Sequence, residues 1–261
     1  MGITEATALH LPRILCLHGG GTNARIFRAQ CRAIITHLSN DFRLVFAEAA
    51  FDSKAGPDVL SVYKDWGPFK RWLRWQHSQP NPGSEVIIEA LNQSLEDAML
   101  LDDMRGATGE WVGLLGFSQG AKVSASLLYR QQLQEAVYGI GNASTQFRFG
   151  VILAGRAPLV CLDDDTEHCQ FLPAASAITD VKGFKRPELS NCGGVLTIPT
   201  LHVHGTNDPG LDLHRQLYEG FCSDDSKRLL IWDGDHRLPL KYGDVSMLAH
   251  EIREMARLTT W

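Results

Sequence analysis

The chain has 261 residues, 44% of them hydrophobic, and a formal net charge of -5 at pH 7. This content is enough for a substantial core, in one large domain or two small ones. The acidic balance and the lack of a basic run argue against nucleic acid or an anionic membrane as the main partner. No leader pattern and no apolar run of about eighteen residues is present, so we expect a soluble, cytoplasmic protein. Six cysteines without a C-x-x-C pair predict free thiols.

Strands and helices are predicted to alternate in the first half of the chain. An apolar run at 12–17 is stopped by three glycines in "PRILCLHGGG", and apolar residues at helical spacing follow over 23–38. A second strand is predicted at 42–51. After an aromatic segment without a clean period, "SEVIIEALNQSLEDAMLLDDM" is strongly amphipathic, and Ser84 is its expected cap.

The same alternation continues in the second half. The strands predicted there are "WVGLLGF", "FRFGVILAG", "IPTLHVHG" and "KRLLIWDG", and the chain closes with an amphipathic helix over 244–258. Residues 156–197 are polar and loop-rich, which is typical of a lid or a substrate-binding insertion. We therefore predict an α/β fold in one domain over 1–261, with a mostly parallel, doubly wound sheet covered by helices on both faces.

A serine lies between two glycines where a predicted strand meets a predicted helix, in "GLLGFSQGAKVSASLL". The spacing Gly116-x-Ser118-x-Gly120 is what a sharp strand-to-helix turn requires when a serine oxygen must project as a nucleophile. Small flanking residues are needed because the two backbones approach closely. The alternative is an ordinary turn with a capping serine.

A serine nucleophile needs a histidine base and a carboxylate that orients it. Asp208 follows one late strand and His236 follows the next, in the chain order Ser118, Asp208, His236. Among the competitors, Asp212 and His214 fall in a predicted helix and are expected at the surface. Two further acids lie beside His236 in the sequence, Asp233 and Asp235, and they are expected to shape its loop or cap a turn.

Backbone amides are expected to stabilise the tetrahedral oxyanion of acyl transfer. We assign one donor to the N–H of Gln119 and the other to Gly20 in the glycine run, with Gly21 as the alternative. No metal and no cofactor are expected. The pair His202 and His204 could ligate a metal from one face of a strand, but no further ligand lies at a suitable spacing nearby, so they are interpreted as strand residues.

Five segments then occur in the order of a known family: "ILCLHGGGTNARIFRAQ", "SKAGPDVLSVYKDWGPF", "LLGFSQGA", "IPTLHVHGTNDP" and "GDHRLP". In them the chain resembles the fungal serine hydrolases with an α/β-hydrolase fold, in particular the single-domain thioesterases that release polyketide chains. The segment "AGPDVLSVYKDWGPF" indicates that branch. At Gly20 the chain departs from relatives, which often carry a bulkier residue after His-Gly.

The resemblance implies a thioesterase that takes a polyketide from the carrier domain of a synthase. A carboxylesterase acting on small oxo-esters or a tailoring intermediate would use the same three residues, and a non-catalytic binding protein on this scaffold is the third hypothesis. A long acyl chain needs apolar walls. The aromatic segment after the second strand is expected to supply these walls through Tyr63, Trp66, Phe69 and Trp72. The alternative is that these four side chains pack in the core.

Overall fold

A computed structural model describes residues 8–57, 59–163, 171–179 and 195–259. The eight strands found there are β1 (Arg13–Leu17), β2 (Arg43–Ala47), β3 (Phe51–Ser53), β4 (Phe69–Arg71), β5 (Trp111–Phe117), β6 (Phe149–Leu153), β7 (Thr200–Gly205) and β8 (Lys227–Trp232). The seven helices are α1 (Ala24–Gln30), α2 (Arg32–Leu38), α3 (Leu60–Tyr63), α4 (Ser84–Met104), α5 (Gln119–Tyr138), α6 (Leu211–Phe221) and α7 (Tyr242–Leu258).

Six of these strands form one parallel sheet in the order β2-β1-β5-β6-β7-β8. The remaining two, β3 and β4, pair as an antiparallel hairpin. The predicted α/β fold with a mostly parallel sheet is therefore confirmed. Because all six strands run in one direction, their carboxyl ends meet at one edge, where loops from distant parts of the chain come together.

Two hydrophobic cores lie on opposite faces of this sheet. Alternate residues of β1 divide between them, with Leu15 and Leu17 on one side and Ile14 and Cys16 on the other. The first face packs against α4, α5 and α6, and the second against α1, α2 and α7. Strands that are covered on both sides are apolar throughout, which explains why β1 shows no polar alternation.

Two local predictions need correction. The apolar pattern over 23–38 forms two helices rather than one, and they meet at Cys31. Gly83 occupies the N-cap position of helix α4 without a side-chain cap, and Ser84 is the first helical residue. The Ser84 hydroxyl donates to Ser176 Oγ at 3.0 Å instead of capping the helix.

The predicted insertion, 156–197, lies partly outside the described residues, at 164–170 and 180–194. Its first part is not a loose surface loop, because Leu159, Val160 and Leu162 are buried in the core beside α5. The Val160 amide donates to Ser126 Oγ at 3.0 Å. A lid role for the insertion stays a prediction.

Within the described ranges, no helix has both the length and the apolar composition that crossing a bilayer requires.

Candidate active site

The turn between β5 and α5 has the strained geometry that the glycine spacing predicts. Ser118 has φ 54° and ψ -113°, and its amide donates to Leu153 O of β6 at 2.9 Å. A methyl group on Gly116 would lie 2.4 Å from Gly120 O, and one on Gly120 would lie 2.1 Å from Leu17 O. Neither position has room for a side chain. Ser118 makes no side-chain cap to α5, so the capping alternative is wrong.

The Ser118 hydroxyl instead belongs to a chain of three side chains. Ser118 Oγ lies 2.9 Å from His236 Nε2, and His236 Nδ1 lies 2.7 Å from Asp208 Oδ2. An ionised carboxylate only accepts, so Nδ1 carries the proton and donates to Asp208. When the ring is neutral, its Nε2 lone pair faces the Ser118 hydroxyl. Residues 118 positions apart in the sequence thus share one proton path.

Two neighbouring strands deliver the acid and the base. Asp208 follows β7, His236 follows β8, and both loops lie at the carboxyl edge of the sheet. The loops are tied together, because the Asn207 amide donates to Gly234 O at 2.9 Å and Asn207 Nδ2 donates to Asp233 Oδ1 at 3.0 Å. Asp233 therefore shapes the loop, as predicted.

The Asp208 carboxylate is fully buried yet remains ionised. Burial by itself would raise its pKa, but the hydrogen bond from His236, the charge of that ring and the Gly210 amide together lower the pKa below its ordinary value. The Gly210 N–H donates to Asp208 Oδ1 at 2.7 Å. Each carboxylate oxygen therefore has a fixed donor, which holds the acid in one orientation.

His214 differs from its prediction as a surface residue. It lies in α6, as predicted, but is fully buried, with Nε2 3.8 Å from Asp208 Oδ2. Burial lowers its pKa to about 3, with smaller contributions from the neighbouring groups, so the ring is neutral at pH 7. Asp212, its companion in the prediction, is exposed. The sequence of α6 does not tell which face of the helix meets the sheet. Tertiary packing places His214 on that face and Asp212 on the exposed one.

The glycine loop after β1 is held by His18, which the sequence reasoning did not single out. His18 Nδ1 lies 2.8 Å from the Gly19 carbonyl oxygen, to which Thr22 Oγ1 also donates at 2.8 Å. The Ala49 amide donates to His18 Nε2 at 3.1 Å, so the proton of the ring is on Nδ1. Because a peptide unit is planar, fixing the Gly19 carbonyl also fixes the N–H of Gly20.

The alternative oxyanion donor is already engaged. The Gly21 N–H donates to Lys70 O at 2.8 Å. Gly20 and Gln119 line the same cleft as Ser118. The Gln119 side chain binds the segment after β4, because Nε2 donates to Leu73 O at 3.0 Å and Oε1 accepts from the Trp72 amide at 2.8 Å.

Ser118 opens into a cleft of about 760 Å³. Of the four predicted substrate contacts, Tyr63 lines it. Trp72 does not: it is buried in the core and donates from Nε1 to His18 O at 2.8 Å. Trp66 and Phe69 are not among the described residues that line the cleft, and their contact with substrate stays a prediction. The apolar residues that line it are Val59, Val62, Tyr63, Leu73, Trp75, Phe117, Leu238 and Leu240.

A histidine array lies behind the acid. His202 and His204 are buried on β7, as the strand interpretation predicts, and burial lowers their pKa values to about 3 and about 4. Neither belongs to the set of potential metal ligands found in the described part of the chain. That set is Asp208, His214 and His236, whose ligand atoms lie within 4.8 Å of one another. Two of its members are engaged in the proton path to Ser118.

Activity is therefore expected to be independent of metal. A metal bound by this set would take one ring nitrogen of His236, and both are used in the hydrogen bonds to Asp208 and Ser118, so it would break the path to Ser118. We expect hydrolysis of a chromogenic acyl ester to be unchanged after prolonged dialysis against EDTA. Loss of activity in EDTA, with recovery on addition of zinc, would contradict this prediction.

Residues 7–248 of the chain match the family described as Serine hydrolase (FSH1). Esterase claE of Penicillium crustosum is 58% identical over 255 residues, which cover 98% of this chain and 96% of that protein. Esterase citA of Monascus ruber is 58% identical over 251 residues, which cover 96% of this chain and 94% of that protein.

Solved structures share the fold at low identity. Esterase PE8 superposes with a TM-score of 0.52 at 16% identity, covering 94% of this chain and 93% of that chain. The Bacillus cereus carboxylesterase superposes with a TM-score of 0.51 at 14% identity, covering 94% of this chain and 89% of that chain. These two are evidence for the architecture alone. The family match and the relatives at 58% identity show that the chain belongs to the serine hydrolase (FSH1) family, and the solved structures show that its fold is that of the α/β-hydrolases.

Proposed function

We propose that the protein is a serine acyl hydrolase in which Ser118, His236 and Asp208 form the catalytic triad. The observation that carries the proposal is the continuous path from Ser118 Oγ to His236 Nε2 and from His236 Nδ1 to Asp208 Oδ2. The strained turn at Ser118 supports it, because that conformation exposes the hydroxyl at the base of the cleft. A scaffold retained only for binding would not need this alignment.

In the acylation step, Ser118 Oγ attacks the carbonyl carbon of the substrate and its proton passes to His236 Nε2. The tetrahedral oxyanion accepts hydrogen bonds from the amides of Gln119 and Gly20. The intermediate then collapses, the bond to the leaving sulfur or oxygen breaks, and the leaving group takes the proton from His236. Asp208 stabilises the imidazolium while it exists.

In the deacylation step, water attacks the acyl-serine. His236 Nε2 removes a proton from the water, and a second tetrahedral intermediate uses the same two amides. When it collapses, Ser118 Oγ recovers its proton from His236 and a carboxylic acid is released. The enzyme returns to its starting state without a cofactor.

The substrate we propose is a polyketide acyl chain bound as a thioester to the carrier domain of a synthase. The segment "AGPDVLSVYKDWGPF" supports this choice through its resemblance to polyketide-releasing thioesterases. Pro57, Val59 and Tyr63 of that segment line the cleft, beside Ser118. A cleft of about 760 Å³ is in the range of sites that enclose a drug-sized molecule.

The second candidate is a carboxylesterase that acts on oxo-esters. It is favoured by the names of the relatives, which are called esterases, among them Esterase pigG of Monascus ruber at 50% identity over 266 residues. The proposed triad serves both reactions, so the leaving group distinguishes them. A thiol arm from a carrier domain is long and narrow, whereas a small alcohol needs no extended channel.

Two measurements test the function. A fluorophosphonate probe is expected to label the folded wild-type protein at Ser118, identified by peptide mass, and to leave Ser118→Ala unlabelled. Hydrolysis of an acyl N-acetylcysteamine thioester is then compared with that of the matching ethyl ester. A higher kcat/KM on the thioester favours the thioesterase, and the reverse order favours the carboxylesterase. Failure of the active protein to react with the probe would refute the serine mechanism.

A further inference from the structure

The wall of the cleft is opposite in charge to the chain as a whole. The chain has a net charge of -5. Yet no Asp or Glu is found among the described residues that line the cleft, while five basic side chains do line it: Arg32, Arg74, Lys122, Arg156 and Arg237. A concave site with charges of one sign attracts ligands of the opposite sign, because low-dielectric walls focus the field.

Three of the five cations are engaged in ways that leave them less suited to a ligand. Arg237 is mostly exposed and pairs with Asp235, with Nε 3.5 Å from Oδ2. Arg74 donates to two backbone carbonyls of its own loop, at 2.9 Å and 3.0 Å. Arg32 is exposed at the rim, where salt screens its charge.

Arg156 is the cation best placed to meet a substrate. It lies at the carboxyl edge of the sheet, just after β6, with its guanidinium against Gly210: a methyl group on that glycine would lie 2.8 Å from Arg156 Nε. Its Nε is buried, and no hydrogen-bond acceptor for it is found in the described ranges. A buried charged donor is costly unless a partner satisfies it. Because Nε is packed against Gly210, a ligand in the cleft would bind the terminal nitrogens of the guanidinium instead.

Lys122 strengthens the positive potential at the same wall. It lies one turn into α5 from Ser118, is almost fully buried, and donates from Nζ to Thr179 Oγ1 at 2.6 Å. Both Lys122 and Thr179 line the cleft. The cleft is also lined by apolar side chains, among them Leu73, Trp75 and Phe117. A cleft with both basic and apolar walls suits an amphipathic molecule.

We propose that the enzyme selects substrates that carry a carboxylate or a phosphate in addition to the acyl bond that is cleaved, and that Arg156 binds this anion. A guanidinium matches both groups because its planar fork donates two parallel hydrogen bonds. The inference rests on the proposed function, since it concerns the substrate of the same site.

The first test uses matched substrates that differ in one charge. Adipoyl N-acetylcysteamine thioester has a free carboxylate on the acyl chain, and the same thioester with a terminal primary amide in place of the carboxylate is the neutral control. We expect wild-type kcat/KM to be at least about tenfold higher for the charged member, the size of one charge-assisted hydrogen bond. The preference is expected to fall as NaCl is raised.

A second pair places the anion on the leaving group. Hexanoyl 4'-phosphopantetheine carries one phosphate on its thiol arm, and hexanoyl pantetheine lacks only that phosphate. A preference confined to the adipoyl pair assigns the anion to the acyl chain, and one confined to the pantetheine pair assigns it to the phosphopantetheine arm. Equal rates within both pairs would overturn the proposal.

Variants then assign the preference to one side chain. Arg156→Gln is expected to abolish it while kcat/KM on the neutral member stays within about twofold of wild type, and Arg156→Lys is expected to keep part of it. Arg105→Gln is the matched control, since Arg105 is exposed and is not among the residues that line the cleft, and it is expected to keep the whole preference. Equal losses on charged and neutral substrates in Arg156→Gln would show a structural role and refute the proposal. If Arg156→Gln does not fold, Arg156→Lys and the wild-type pairs still decide.

Failure of this inference differs from failure of the proposed function. If Ser118→Ala hydrolyses all four substrates at the wild-type rate, the serine mechanism is wrong. If Ser118→Ala is inactive and the wild-type protein shows no preference for charge, the mechanism stands and the anion site is refuted.

Discussion

Ser118→Ala and His236→Ala are each expected to lower kcat by roughly a millionfold, with the protein still folded. In the proposed mechanism Ser118 supplies the attacking oxygen and His236 is the base, 2.9 Å from it, so neither can act without the other. For the same reason the double variant Ser118→Ala/His236→Ala is expected to be no worse than either single variant. The measurement is kcat on an acyl thioester, with melting temperature recorded for every variant.

Asp208→Asn is expected to lower kcat by a smaller factor, about ten-thousandfold. Its amide NH₂ would face His236 Nδ1 in place of Oδ2 and would stabilise the ring tautomer with the proton on Nε2. That nitrogen could then no longer accept the proton of Ser118. Asp212→Asn is the matched control, since Asp212 is an exposed acid on α6, and it is expected to retain wild-type kcat.

Two outcomes would contradict this assignment. Retention of more than about a tenth of the wild-type rate by His236→Ala would show that another group is the base. Multiplicative losses in the double variant would show that serine and histidine act independently.

Gly120→Ala is expected to destabilise the fold by at least about 3 kcal/mol and to lower the melting temperature by about 6 °C or more. The new methyl group would lie 2.1 Å from Leu17 O and 2.6 Å from His18 O. Both contacts are with backbone, which has no alternative rotamer, so β1 and α5 would have to separate. Activity is expected to fall as well, because this shift moves Ser118 away from the glycine loop.

Gly243→Ala provides the control for this change. Gly243 lies in α7, is exposed, and no atom lies within 4 Å of the position a methyl group would take. Alanine there is expected to leave activity unchanged and to raise the free energy of unfolding by up to about 1 kcal/mol. A Gly120→Ala protein with the melting temperature and kcat of wild type would refute the argument from close backbone approach.

Local sequence patterns determined the architecture and the positions of the three side chains of the proposed triad. Apolar runs that end in glycine predicted the strands, and helical spacing predicted the helices between them. The parallel order of the strands then placed Asp208 and His236 at the same edge as Ser118. These inferences succeed because a strand or a helix is encoded by residues that are neighbours in the sequence.

The tertiary structure decided which side chains face the cleft. Trp72 and Tyr63 come from one aromatic segment, yet the first is buried in the core and the second lines the cleft. His214 was predicted at the surface and lies against Asp208, and Arg156 gains its importance only from the cleft that it lines. Such outcomes depend on contacts between residues far apart in the chain. No local period encodes them, because they follow from how the helices and loops pack over the sheet.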